Sequence, residues 1–242
     1  MYHLEGHHWV FKAKKNVVYQ SCLVAKGYTQ VPGIDFHENF VPVIGDVTLR
    51  TVIVIKLHRD FFTKYLDIET AFLHGDLDEE IYMSTPEGLD VFLEEDLSDE
   101  CVMLIKSIYG LVQSAHCYWK KFKQSLKDIG FEACHNDNCL LKRIDEKGIV
   151  IICLYVDDLL CTGDKDAVLQ AVKDIKEHYN IKENDEGPES EFVGVTYEQT
   201  PDGIVILQPD TIETLCKQFQ DNIRDLKIYE SPAGAGETII RN

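Results

Sequence analysis

Asp157 and Asp158 follow directly on the apolar run at residues 149–156 (IVIICLYV) and precede a second one, Leu159-Leu160-Cys161. Adjacent carboxylates between apolar runs are hard to hold, because desolvation and mutual repulsion both disfavour the charged form. A place at the tip of a β-hairpin, with both acids projecting to one end of a sheet, fits the pattern. Asp-Asp is equally an ordinary turn dipeptide. Asp67 stands in a similar setting, after the strand-like TKYL and before the apolar IETAFL. Carboxylates at two strand ends can converge on a divalent cation. Mg²⁺ prefers hard oxygen ligands and is commonly held by one or two carboxylates plus substrate phosphates, and a pair of such ions serves phosphoryl transfer. The expectation is that Asp67, Asp157 and Asp158 gather at one end of an antiparallel sheet, close enough to share metal.

The elements that must position these acids are partly readable. Residues 63–68 alternate as a strand. Residues 118–129 place Trp119, Phe122, Leu126 and Ile129 at helical spacing with lysines on the other face, and Gly130 closes the helix. Strands are predicted at 139–144 and 149–155 around the DEKG turn, and a second amphipathic helix at 166–180. Segments 192–199 and 203–208 straddle a Pro-Asp-Gly turn as a hairpin, and a helix follows near 211–219. Residues 48–57 (TLRTVIVIKL) are apolar enough for a buried helix or strand, and periodicity does not decide which. The acidic 89–100 stretch reads as a surface loop or short helix. Strands and helices interleave without regular βαβ spacing, which predicts an α+β fold with a largely antiparallel sheet.

The chain has 242 residues, enough for one large domain or two small ones. Hydrophobic residues at 45% and charged residues at 27% describe an ordinary globular protein rather than a disordered one. The longest apolar run has eight residues, where a membrane helix needs about twenty, and the first residues lack the apolar stretch of a secretory signal. A net charge of −18 argues against a nucleic-acid partner, since phosphate is normally met by a basic face. The charge is uneven, however. Residues 1–65 carry eight basic and five acidic side chains, whereas residues 66–105 carry thirteen acids and no Lys or Arg. The basic first third keeps nucleic acid open. Eight cysteines without a Cys-x-x-Cys pair, several inside apolar runs, read as reduced structural residues. His3, His7 and His8 have no Cys or carboxylate at ligand spacing.

Six segments in order resemble the reverse transcriptase domain of copia-type LTR retrotransposon polyproteins: residues 23–43 (LVAKGYTQVPGIDFHENFVPV), 65–88 (YLDIETAFLHGDLDEEIYMSTPEG), 105–114 (IKSIYGLVQS), 154–160 (LYVDDLL), 191–208 (EFVGVTYEQTPDGIVILQ) and the tail through Ser231-Pro232. The resemblance implies a right-hand polymerase with an RRM-like antiparallel palm sheet. On that pattern residues 1–45 and 75–113 form fingers, 46–74 and 114–207 the palm, and 208–242 the start of the thumb. It implies two Mg²⁺ ions (Mn²⁺ being a possible substitute), a primed RNA or DNA template and dNTPs. Ribonuclease H and integrase regions belong to the larger polyprotein, and no membrane is involved. The expected location is intracellular, cytoplasmic or in virus-like particles.

Carried over by position, Asp67, Asp157 and Asp158 are the catalytic, metal-binding acids. Phe72 matches the residue that excludes a ribose 2′-OH, although a lone Phe also suits a core. Gln113 and Ser114 match the motif against the incoming nucleotide. Lys26 is a candidate phosphate contact or an ordinary solvated lysine. Phe192, Val193 and Gly194 match the primer grip, with a plain hairpin strand as the rival. Departures accompany these matches. The family has Lys-x-Arg where this chain has Gln20 and Cys22, and Gly-Leu-Lys-Gln-Ser-Pro-Arg where it has Val112, Ala115 and His116. Loss of these cations favours an alternative reading, a degenerate relic that retains the fold and nucleic-acid binding with weak or no catalysis. A metal-dependent nuclease would explain the acids but not the YGLVQS or FVGV segments.

Overall fold

The computed structural model describes residues 4–13, 19–94, 96–97, 100–184, 189–193, 195–200 and 203–223. The chain begins with β1 (Leu4–Glu5) and an exposed antiparallel ribbon, β2 (His7–Ala13) with β3 (Tyr19–Ala25). Helix α1 (Asp46–Arg59) leads into β4 (Phe62–Ile68). Next come β5 (Tyr82–Ser84), the short α2 (Leu89–Leu93) and β6 (Cys101–Met103), with β5 parallel to β1 and antiparallel to β6. After α3 (Ser114–Asp128) the chain forms β7 (Glu132–Ala133), β8 (Leu140–Asp145), β9 (Gly148–Tyr155) and β10 (Asp158–Gly163). Helix α4 (Lys165–Lys176) and β11 (Ile181–Asn184) follow. The remaining elements are β12 (Glu189–Phe192), β13 (Val195–Thr200), β14 (Gly203–Leu207) and α5 (Pro209–Ile223).

The site rests on a six-stranded sheet of order β11-β4-β10-β9-β8-β7, antiparallel at every pairing. Its two central strands are apolar almost throughout. Val150, Ile152, Cys153 and Leu154 on β9 are all buried, as are Leu159 to Gly163 on β10. Consecutive buried residues point to opposite sides, so both faces are covered. Helix α4 packs on β4, β9 and β10 through Ala167, Val168, Ala171, Val172 and Ile175. Helix α3 brings Tyr118, Phe122 and Leu126 into the same core, and α1 brings Leu49, Val52 and Ile53. Each fully buried Leu or Ile contributes roughly 1.5–3 kcal/mol, which favours this register over a one-residue slip that would turn those side chains to water.

Several polar groups inside the core are paired. The Thr63 and Thr162 hydroxyls bond across β4 and β10 at 2.9 Å. Arg143, nearly buried, donates to Asp174 at 2.7 Å and to the Ile129 carbonyl at 3.1 Å, and lies over the Phe131 ring. All eight cysteines are free. Burial pushes the Cys117 and Cys139 thiols up to about 11 and Cys161 to about 12, so at neutral pH these behave as small hydrophobes. No described helix is long and apolar enough to cross a membrane.

One open reading is decided and two expectations change. Residues 48–57, open between helix and strand, are helical, inside α1. The predicted hairpin is present as β13–β14, but Phe192 ends a separate strand, β12, and Val193 at φ +60 reverses the chain, so a third strand joins it. In α3 the deeply buried aromatic is Tyr118 rather than Trp119.

Outside the main core, Ala25, Ile81 and Leu111 form a small cluster with Leu77, Leu104 and Ile108 packed on it. The Ala25 amide donates to the Tyr109 carbonyl at 2.8 Å. Contact this close requires glycine. Gly110 has φ +93, and a Cβ there would stand 2.1 Å from the Ala25 carbonyl; one on Gly27 would stand 2.1 Å from the Gly110 carbonyl.

Candidate active site

Antiparallel pairing of β4 with β10 puts Asp67 directly opposite Asp158. Asp157 occupies the turn between β9 and β10, where its carbonyl accepts from the Ile68 amide at 3.0 Å. Three carboxylates therefore share one end of the sheet, each half-buried. Like charges directly opposite each other in a sheet are destabilising, so sheet stability does not account for the Asp67–Asp158 pair. Burial raises the Asp157 carboxyl above the usual 3.8, and the charge of Asp67 adds to that rise against a backbone hydrogen bond that lowers it. Val156, the first turn residue, has φ +54. A positive φ at the first central position alone marks a II′-like reversal, ordinarily a glycine site. Holding a β-branched residue there stores strain of about 1–3 kcal/mol.

Two tyrosines report the same electrostatic neighbourhood. Burial raises the Tyr109 phenol, with further contributions from Asp157, Cys22 and Asp67. Tyr118 is raised well above the ordinary value by burial, then by Tyr179, Asp157, Asp67 and Asp158. Sequence reasoning missed both phenols, since nothing in their spacing separates them from core aromatics.

Among the described residues, no three His, Cys, Asp or Glu side chains form a ready-made cation cage. The donor set nevertheless has the chemistry of a Mg²⁺ site. It consists of hard carboxylates, and Mg²⁺ characteristically uses one or two carboxylates and completes its shell with substrate phosphates and water.

Residues 3–228 match the family model described as reverse transcriptase (RNA-dependent DNA polymerase). The chain belongs to this family. Its relatives point to the copia-type branch. The retrovirus-related Pol polyprotein from transposon TNT 1-94 of Nicotiana tabacum is 36% identical over 233 residues, covering 93% of this chain and 17% of the polyprotein. The corresponding polyprotein from transposon RE2 of Arabidopsis thaliana is 33% identical over 209 residues, covering 84% of this chain and 14% of its own length. The transposon Ty1-DR5 Gag-Pol polyprotein of Saccharomyces cerevisiae is 29% identical over 178 residues, or 72% of this chain and 10% of that protein. The chain thus spans less than a fifth of these curated relatives.

In this reverse transcriptase domain Phe72 lies just beyond the acid end, in the turn Ala71–His74, with its ring 4.9 Å from Tyr109 and 6.4 Å from Tyr118. Gln113 and Ser114 are both 2% exposed. The Gln113 amide donates to the Asp35 carbonyl at 2.9 Å and accepts from Gln30 at 3.1 Å, and the Ser114 hydroxyl donates to the Ile108 carbonyl. Their polar groups are engaged within the chain. Lys26 is half-exposed, and its aliphatic stem runs past Gly6. Phe192 is buried with its ring 6.2 Å from Tyr65. Val193 lines a pocket of about 690 Å³ beside Tyr155, Tyr197 and Ile212. Gly194 lies outside the described residues.

Positions 20 and 22 lie on one face of β3, since alternate strand residues share a face. Val24, also on that face, sets its Cγ1 against Gly110. The face is therefore turned to the Tyr109–Gly110 loop, and Cys22 acts on the same phenol that senses Asp67 and Asp157.

Proposed function

We propose that the chain is the catalytic domain for RNA-directed DNA synthesis in a copia-type element. In this reaction a primer 3′-hydroxyl attacks the α-phosphate of a dNTP, a new phosphodiester forms and pyrophosphate leaves. The observation that carries the reading is the register of Asp67 against Asp158 with Asp157 in the adjoining turn. Asp67, Asp157 and Asp158 would hold two Mg²⁺ ions, or Mn²⁺ in their place. Such ions, when bound, stabilise negative charge on the attacking and leaving oxygens.

The chain's own contribution is placement. Strand pairing fixes two carboxylates, and the strained Val156 turn holds the third beside them. Phe72, braced by Tyr109 and Tyr118, forms a wall suited to excluding a ribose 2′-OH. Gln113 and Ser114 act from behind the nucleotide site by fixing the loop that leads into α3. Lys26 serves as a phosphate contact and Phe192, Val193 and Gly194 as the primer grip. In this reading the six-stranded sheet with α1, α3 and α4 is an RRM-like palm, covering 46–74 and 114–207. Residues 1–45 and 75–113 are fingers, a division supported by the separate Ala25–Ile81–Leu111 cluster. Residues 208–242 open the thumb, of which 224–242 lie outside the described residues. The partners are a primed RNA or DNA template, dNTPs and the ribonuclease H and integrase regions of a larger intracellular polyprotein, in cytoplasm or virus-like particles.

Missing cations at Gln20, Cys22, Val112 and His116 favour a second reading, a weakened or inactive domain that keeps fold and nucleic-acid binding. Primer extension on an RNA template with Mg²⁺ separates the two. Activity in the unaltered chain that disappears in Asp157→Asn supports polymerase function. Template binding without extension supports the second reading.

A further inference from the structure

The ribbon β2–β3 holds a row of aromatic rings in water. Trp9 is 38% exposed, Phe11 77% and Tyr19 81%. Cross-strand partners share a face, and the pairings of Trp9 with Leu23, Phe11 with Ser21 and Ala13 with Tyr19 put all three rings on one side. Cys22 and Val24 belong to the other side, which is turned to the Tyr109–Gly110 loop. The Trp9 and Phe11 rings stack, with centroids 6.4 Å apart and planes inclined by 24°. A cleft of about 700 Å³ opens beside them, lined by His7, Ser21, Glu87 and Gly88 among others.

Packing explains part of this face. The Trp9 indole N–H donates to the Glu87 carbonyl at 3.2 Å. The Glu87 amide donates to His7 Nε2 at 3.4 Å, and His7 Nδ1 lies 3.0 Å from the Ser84 hydroxyl. These bonds anchor the ribbon to the end of β5 and the turn after it, and they fix the indole plane. Phe11 is different. It stacks on a ring of its own strand, so the stack does not tie β2 to β3, and most of the ring faces water. A row of exposed aromatics, unlike a single one, marks a contact surface.

Charge indicates the partner. Residues 6–34 contain four lysines, two histidines and no Asp or Glu, in a chain whose net charge is −18. Lys12 follows Phe11 and is exposed, and Lys14 and Lys15 come next in the sequence. Glu87 is the one acidic residue lining the cleft. Flat rings set among lysines suit a polyanion that carries planar groups, since bases stack on the rings while the cations meet phosphate. An apolar protein partner would use the rings but not the lysines.

We infer that the Trp9–Phe11 face is a stacking platform for an unpaired stretch of nucleic acid, on the side of the ribbon away from the Tyr109–Gly110 loop. The inference rests on the nucleic-acid partner of the proposed reading and not on catalysis. The platform is indifferent to sequence, because every base presents a π face.

Fluorescence anisotropy of a labelled oligothymidylate titrated with the full chain tests this without turnover. Phe11→Leu keeps an apolar side chain without the ring, at a site too exposed to disturb folding. It is expected to bind about five- to tenfold more weakly, the scale of one lost base stack, whereas Phe11→Trp should bind at least as well as the unaltered chain. The loss should be absent for an abasic strand of the same length and for a duplex. Lys12→Gln should lower the slope of affinity against salt by about one, and Phe11→Leu should leave that slope unchanged. Asp157→Asn should bind oligothymidylate like the unaltered chain, which separates the platform from the acid end. Equal affinity in Phe11→Leu and the unaltered chain overturns the inference and leaves the polymerase reading standing. So does an equal loss on the abasic strand, which would mean a distorted ribbon. Self-association that Phe11→Leu abolishes without changing oligothymidylate affinity would assign the face to a second copy of the chain and overturn it too. If the unaltered chain binds no single strand, the inference fails together with the nucleic-acid partner.

Discussion

On the proposed polymerase reading, Cys22→Arg should raise nucleotide affinity, and Gln20→Lys should raise it far less. Both positions lie on the face of β3 turned to Tyr109 and Gly110, yet their surroundings differ. Cys22 is half-buried and contributes to the raised Tyr109 phenol, which also senses Asp67 and Asp157. Gln20 is exposed and stands opposite Lys12 in register, where a second lysine would be repelled. A charge-assisted contact to phosphate is worth about 1.5–3 kcal/mol when well placed. For a half-exposed arginine the lower end applies, roughly a tenfold gain in dNTP affinity. An exposed lysine contributes at most about 1 kcal/mol, and after repulsion from Lys12 little more than a twofold gain. The assay is equilibrium dNTP binding to the chain with a dideoxy-terminated primer on its template and Mg²⁺, repeated at rising salt. The lysine's gain should fade with salt before the arginine's does. Affinity unchanged in Cys22→Arg, or a larger gain from Gln20→Lys, would refute the placement of position 22 beside the acid end.

Gly110→Ala should destabilise the chain by about 2–4 kcal/mol in urea unfolding, combining the positive-φ penalty with overlap against the Ala25 carbonyl; a loss below half that range would mean the two segments separate easily. Asp157→Asn should alter the pH dependence of stability in metal-free buffer. The Asp157 carboxyl is raised above its ordinary 3.8, so its protonated form stabilises the fold and that contribution disappears as pH climbs through the elevated folded value. The Asn variant should therefore match the unaltered chain in acid and exceed it at neutral pH, with Mg²⁺ closing the gap by stabilising only the unaltered chain. Parallel curves at every pH would contradict the assignment. Arg143→Ala should lower stability by about 1.5–3 kcal/mol, because it removes the charge-assisted bond and leaves Asp174 with Gln170 alone. A calorimetric melting temperature within a degree or two of the unaltered chain would show that water already serves Asp174.

Local chemistry was legible in this sequence and long-range geometry was not. Apolar runs flanking Asp157-Asp158 located the hairpin, because a strand apolar on both faces must be central and its turn must carry the acids to a sheet end. Helix α3 was found by periodicity, but its phase was read from the wrong aromatic. Tyr118, Phe122 and Leu126 share the buried stripe, and Trp119 sits beside it. Helix α1 gave no phase, since Val47, Val54 and Leu57 are apolar and exposed, so burial does not follow hydrophobicity around it. The break at Val193 was hidden because a β-branched residue at φ +60 contradicts its own propensity. Val156 does the same beside Asp157. Both outliers are held by strand pairing on either side, which a local reading cannot supply. The pairing of Asp67 with Asp158 belongs to the same class, a register set by the summed burial of β4 and β10. Family motifs reached those acids because they encode the outcome of such pairings. They offered nothing for Tyr109 and Tyr118, which the sequence does not separate from ordinary core aromatics and whose phenols sense the acids only through the fold.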